Sequence, residues 1–192
     1  MIIVSEKKVL TVSSSEKGTE FFKRFLGENF TNEFVFSGAE ARRRLADRDY
    51  DIVIINCPLK DEYGTELAEE IVKDTYTGVL TLVKSDVFDS VSYHMETIGV
   101  YCLPKPLSMQ LFSQGINMCV ATNVRLKGFA KKTETLKEKM EEIKLESRAK
   151  LLLITKLAFN EEEAHRYIEK QAMDRCVKKK SVALEIIKTY GN

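Results

Sequence analysis

The chain is poor in the features that would take it out of the ordinary globular class. It has three prolines in 192 residues and no Gly-Pro-rich run, so no low-complexity linker is expected. No apolar stretch is long enough to span a bilayer. The first residues, Met1 to Lys8, lack the long apolar core and small-residue cleavage site of a secretory leader. Cys57, Cys102, Cys119 and Cys176 are scattered, with no CxxC pair. They read as reduced, mostly buried thiols, and the protein as cytoplasmic with no membrane partner.

What is present is unevenly charged. Residues 121–192 hold 17 Lys+Arg against 11 Asp+Glu, hence +6. Residues 1–120 hold the remaining 13 against 18, hence −5. Two parts with different partners are expected, the basic one facing a polyanion.

The first 120 residues alternate between two periods. Val9–Val12, Glu33–Phe36, Asp51–Ile55, Val79–Val83 and Val100–Leu103 read as strands. Between them run helical stripes: Phe21, Phe22, Phe25 and Leu26, then Ala41, Leu45 and Ala46, then Leu67, Ile71 and Val72. This alternation predicts an α/β fold, a five-stranded parallel sheet of flavodoxin-like type with helices on both faces. In such a sheet the chemistry sits at the carboxyl ends of the strands.

After Lys105-Pro106 the pattern is wholly helical. Leu107, Leu111, Ile116 and Val120 suit a last amphipathic helix of the first domain. Leu126, Phe129, Thr133, Leu136, Met140 and Ile143 then repeat at spacings of 3 and 4, a heptad seam flanked by Lys and Glu. A parallel coiled-coil homodimer is expected over 121–147. A three-helix all-α module is expected over 148–192. Asn160-Glu161-Glu162-Glu163 reads as a helix start with a capping box. Ala149, Leu153, Ala164, Ile168, Ala172, Met173 and Val182 read as its core.

Residues 1–120 resemble response-regulator receiver domains, on strand order, on Lys105-Pro106 after the fifth strand, and on Gly64 beyond the third. A receiver transfers a phosphoryl group to an aspartate. That needs a carboxylate nucleophile, an acidic pair for Mg²⁺, a hydroxyl and a lysine. Here the nucleophile position matches Asn56, the acidic pair Ser13 and Ser14, and the hydroxyl Val83, with Thr81 and Ser85 close by. Only Lys105 remains. An amide has no anionic oxygen to attack phosphorus, so a pseudo-receiver without phosphorylation is expected, taking input by contact with a regulatory protein or ligand. Asp61, Glu62, Asp86 and Asp89 read as an acidic rim at the same end of the sheet.

Ala149-Lys150-Leu151, Glu161-Glu162-Glu163-Ala164, Gln171-Ala172-Met173 and Ser181-Val182-Ala183 together resemble the ANTAR domain of transcription antiterminators. That resemblance implies RNA binding by a dimer, at stem-loops of a nascent transcript. The candidate contacts are Arg148, Lys150, His165, Arg166, Lys170, Gln171, Arg175, Lys178, Lys179 and Lys180, the last three placed between two helices. Tyr167 and His165 offer stacking surfaces. No enzymatic activity, metal or cofactor is expected. The rival reading is a protein-interaction adaptor with a helical docking head.

Overall fold

The computed structural model describes residues 7–26 and 30–191; the leader reading of the first six residues lies outside them. The chain divides into two compact units, Met1–Gly128 and Phe129–Asn192.

The first unit is a five-stranded parallel sheet, β1 (Lys7–Ser13), β2 (Phe30–Val35), β3 (Ile52–Asn56), β4 (Gly78–Lys84) and β5 (Tyr101–Lys105). The strand order is β2-β1-β3-β4-β5. This is the doubly wound order, with its switch point between β1 and β3. The expected strands are all present. β2 starts at Phe30, upstream of the expected Glu33, and Phe36 lies outside it, exposed.

Strand alternation divides the core between two faces. On one, Val53, Ile55, Val79 and Val83 pack against α2 (Gly38–Asp47), α3 (Thr65–Asp74) and α4 (Phe88–Thr97) through Ala41, Leu67, Ala68, Ile71 and Met95. On the other, Val9, Ile52, Ile54, Leu80 and Leu82 meet Phe22 and Leu26 of α1 (Glu16–Leu26) and Phe112, Ile116 and Cys119 of α5 (Met109–Leu157). Each such aliphatic side chain, fully buried, contributes roughly 1.5–3 kcal/mol.

Close approaches explain two glycines. Gly64 caps α3 at φ +107, where an added Cβ would also strike Ile55 and Cys57. Gly78 lies against the Cys119 backbone of α5, leaving no room for a side chain.

At the amino ends of the strands, α5 is tied down. Asn123 Nδ2 donates to the Tyr76 carbonyl at 2.9 Å, and Lys127 Nζ donates to Asp51 Oδ1 at 2.7 Å. The Lys8 N–H also donates to Asp51, at 3.0 Å, and Lys7 stands 3.9 Å away. Burial pushes the Asp51 carboxyl up. The hydrogen bonds from Lys127 and Lys8, with the charges of Lys127 and Lys7, more than offset it, and the folded-state value lies below the ordinary one. A depressed folded-state value stabilises above the unfolded-state value and loses that contribution as pH falls. Asp51→Asn should therefore lower the urea midpoint at neutral pH. The gap from wild type should close as pH falls below about 4, the usual aspartate range. A gap that persists at the lowest accessible pH would contradict this.

α5 runs unbroken through the positions where a stalk and a third domain were expected to begin, 121 and 148. The seam residues Phe129, Leu136, Met140 and Ile143 are all exposed, at 56–64%.

The second unit closes with α6 (Glu161–Asp174) and α7 (Lys179–Tyr190) against the last turns of α5. Its buried set is Ala149, Leu153, Ala164, Ile168, Ala172, Val182, Ala183 and Ile186. The capping box forms: Asn160 Oδ1 accepts from the Glu163 N–H at 2.9 Å, and Glu163 Oε2 accepts from the Asn160 N–H at 2.8 Å. α6 ends with Cys176 in the left-handed region, φ 51, and the Val177 N–H donating to the Ala172 carbonyl at 3.0 Å. That is the closure of a Schellman motif, with cysteine where glycine is usual.

Met173 is corrected by the structure. Expected in the core, it is 77% exposed. Ala164, Ile168 and Ala172 recur every fourth residue and take the inward face. Met173 follows Ala172 by one residue, a rotation of about 100° on a helix.

Candidate functional site

Two regions hold the expected site residues. The first lies at the carboxyl ends of β1, β3 and β5. Asn56 ends β3, with its side chain on the α1/α5 side of the sheet. Its Nδ2 donates to Ser13 Oγ at 3.1 Å, and its Oδ1 accepts from Lys105 Nζ at 2.9 Å. Lys105 Nζ also donates to the Cys57 carbonyl. Ser13 Oγ donates onward to the Ser15 carbonyl at 3.4 Å. Ser13, Asn56 and Lys105 therefore form one hydrogen-bonded chain across three strand ends. Gly18 of α1 crosses directly above it: an added Cβ would lie 2.5 Å from Ser13 Oγ and 3.0 Å from Asn56 Nδ2. Burial pulls the Lys105 ammonium below its usual lysine value and pushes the Cys57 thiol up to about 12.

The other expected pocket residues are not brought together. Ser14 turns away and donates to the Pro58 carbonyl at 3.2 Å. Val83 is fully buried in the core against α3 and α4, on the opposite face of the sheet. Leu82 lines the cleft beside Asn56, with Phe21, Phe22 and Leu107. Thr81 donates to the Tyr101 carbonyl at 3.2 Å, and Ser85 to the Lys105 carbonyl at 2.5 Å. The hydroxyl position is thus filled by an apolar side chain.

This donor set does not fit a divalent cation. Mg²⁺ wants anionic oxygens in octahedral array. The cleft offers the hydroxyls of Ser13 and Ser15, one amide already spanning two partners, and an ammonium.

The expected acidic rim is partly consumed. Asp61 accepts from the N–H groups of Gly38 and Ala39 at 2.9 and 3.0 Å, capping α2 from the β3–α3 turn. Those hydrogen bonds hold its carboxyl below the usual range. Glu62 pairs with Arg42 at 2.6 Å, and Arg42 also holds Glu70.

The second region is the α6–α7 surface. Most of its expected cations are paired within the unit. Lys150 meets Glu161 at 3.2 Å, Arg166 meets Glu162 at 2.6 Å, and Lys180 meets Glu141 at 3.7 Å. Arg175 makes a bidentate pair with Glu185, at 2.6 and 2.7 Å. Lys179 pairs with Glu169, which also faces His165 at 3.4 Å. Among the described residues, Arg148, Lys170 and Lys178 have no ion-pair partner. Gln171 is half-buried on α6. Lys179 and Lys180 lie inside the first turn of α7 rather than in the connection before it, and Lys178 is the N-cap. Tyr167 is 38% exposed and packs edge-on against Phe159, their ring centroids 5.7 Å apart.

Residues 134–187 match the family model described as the ANTAR domain. The chain carries an ANTAR domain. The matched segment starts upstream of Arg148 and takes in the lower part of the heptad seam. Across both units the chain is similar to the transcriptional regulatory protein PdtaR of Mycobacterium tuberculosis. The two are 29% identical over 141 residues, which span 73% of this chain and 69% of that protein. The first unit has the receiver fold. It resembles the signal receiver domain of an HD domain-containing protein from Pseudomonas fluorescens, at TM-score 0.60 and 20% identity over 67% of this chain and 97% of that one. It also resembles chemotaxis response regulator CheY4 of Vibrio cholerae, at TM-score 0.53 and 18% identity over 59% and 98%. A receiver fold ahead of an ANTAR domain is the layout of an antitermination-type response regulator. Among the described residues no helix is long and apolar enough to cross a membrane.

Proposed function

We propose that this regulator binds RNA stem-loops in nascent transcripts as a dimer, and that its receiver unit takes input by contact rather than by phosphorylation. The observation that carries the RNA reading is the ANTAR match over a module whose surface leaves Arg148, Lys170 and Lys178 free of intramolecular carboxylates. An unpaired ammonium or guanidinium can neutralise phosphate without first breaking an ion pair. Of the ten expected contacts, Lys150, Arg166, Arg175, Lys179 and Lys180 are held in ion pairs within the module and His165 faces Glu169; Arg148, Lys170 and Lys178 are the cations that this reading assigns to phosphate, with Gln171 left for a base edge.

The Ser13–Asn56–Lys105 chain supports the input reading. Phosphorylation needs a carboxylate at position 56 and a metal beside it, and this cleft holds an amide and an ammonium. A regulatory protein bound to the receiver unit would then set whether two ANTAR modules can engage RNA.

The exposed seam supports the dimer. Four large apolar side chains, from Phe129 to Ile143, stand in water at heptad spacing, and a second copy of the helix would bury them. Leu136→Lys with Met140→Lys should convert the protein to a monomer in sedimentation equilibrium. A dimer of undiminished affinity would place the interface elsewhere.

Transcript crosslinking followed by sequencing tests the function directly. Enrichment of two-stem-loop segments is the expected result. Recovery of no RNA, with a protein partner in its place, would favour the adaptor reading.

A further inference from the structure

The exposure of Met173 points to a site that a count of charges does not reveal. A groove of about 650 Å³ runs between the end of α6 and the start of α7, lined by Ala172, Met173, Cys176, Val177 and Lys178, with Glu169 and Lys179 at its edge. Among the described residues Met173 is the most exposed large apolar side chain, and Val177 is 37% exposed.

We propose that this groove receives one unpaired RNA base, held against Met173 and Val177, while Lys170 and Lys178 take the neighbouring phosphates; this rests on the RNA reading above.

Four features support it. First, a methionine thioether is polarisable and flexible, and gains from contact with an aromatic ring. Every base presents such a ring, whereas phosphate does not.

Second, two unpaired cations accompany the groove. Lys178 lines it, and Lys170 lies one helical turn before Met173 on the same face of α6. Among the described residues, Glu169 is the only carboxylate that lines the groove. It is held by Lys179 and faces His165, so it does not repel an approaching strand as a free carboxylate would.

Third, Lys178 gives α7 no side-chain cap. The N–H groups of Lys179 and Lys180 are left for an anion or water, while that of Ser181 donates to the Lys178 carbonyl at 2.9 Å.

Fourth, the corner is fixed before anything binds. The Cys176 N–H donates to the Met173 carbonyl at 3.1 Å, the Val177 N–H donates to the Ala172 carbonyl at 3.0 Å, and Arg175 clamps Glu185 on α7. A preformed shelf binds with less ordering cost than a flexible one.

The test uses the full-length protein and labelled RNAs carrying two short stem-loops. Each loop position is replaced in turn by an abasic nucleotide. For wild type, one loop position should lose roughly five- to a hundredfold in affinity when its base is removed. Met173→Gln should lose a comparable factor on the intact RNA and be indifferent to base removal at that position. Its dependence on salt should match wild type, because no phosphate contact is lost. Lys178→Gln should show the reverse, a flatter salt dependence with the abasic effect retained. Leu184→Gln, on an exposed part of α7, should behave as wild type.

Wild-type affinity in Met173→Gln, or abasic effects that Met173→Gln leaves unchanged, would overturn the groove while leaving RNA binding intact. Failure of wild type to bind any such RNA at low salt would remove both.

Discussion

Replacing Lys170 and Lys178 together by alanine should weaken RNA binding by on the order of tenfold to a hundredfold near physiological salt. It should also reduce the slope of log affinity against log salt by about 1.4 to 1.8. Each phosphate contact contributes about 0.7 to 0.9 to that slope, through release of condensed counterions. The ion-pair pattern leaves Arg148, Lys170 and Lys178 unpaired in the expected set, and of these Lys170 lies on α6 and Lys178 at the start of α7. Both are exposed, and neither has a carboxylate partner among the described residues. Arg175 and Lys179 are poorer probes, because their removal releases Glu185 and Glu169 from pairs that join α6 to α7. The double variant should melt at the wild-type temperature. An unchanged salt slope would show that these lysines are ordinary solvated side chains.

Ile168→Ala should unfold the ANTAR module and leave the receiver unit standing. Ile168 is 2% exposed, at the centre of α6. Its truncation should cost about 2–5 kcal/mol, transfer plus cavity. The module has little reserve: four of its eight buried residues are alanines, leaving Leu153, Ile168, Val182 and Ile186 as the large ones. A core of that size supplies only about 3–5 kcal/mol. Calorimetry should show the module's transition lost or shifted below 37 °C, with the receiver transition in place. RNA binding should disappear with it. A single transition moved by a degree or two would mean that the two units unfold as one.

The receiver sheet was legible because its two periods are strong. β-branched runs at regular intervals, separated by stripes such as Phe21-Phe22-Phe25-Leu26, admit few other arrangements. β2 was the weakest reading. Its first residues, Phe30-Thr31-Asn32, belong to an edge strand with little apolar signal. Ser13, Asn56 and Lys105 were found in the sequence through the receiver resemblance, whose site lies at strand ends that converge in a doubly wound sheet.

Val83 and Met173 show where that reading stops. In a strand, one residue reverses the face, so Leu82 rather than Val83 borders the cleft. On a helix, one residue rotates by about 100°, so the Ala172-Met173 pair holds one core residue and one exposed one. Resemblance to a family locates such a pair in the chain without saying which member faces inward. Ion pairing was hidden for a different reason. Lys180 and Glu141 are far apart in sequence, and only the fold of the second unit brings them within 3.7 Å.

RNA binding by this regulator is expected not to depend on phosphorylation of its receiver unit. The most direct measurement is affinity for a two-stem-loop RNA, with and without prior incubation with acetyl phosphate and Mg²⁺, with the intact mass of the same samples recorded. Salt-sensitive binding of equal strength in both samples, with no added mass, is the expected result. One phosphate per chain, with RNA binding gained or lost alongside it, would contradict it.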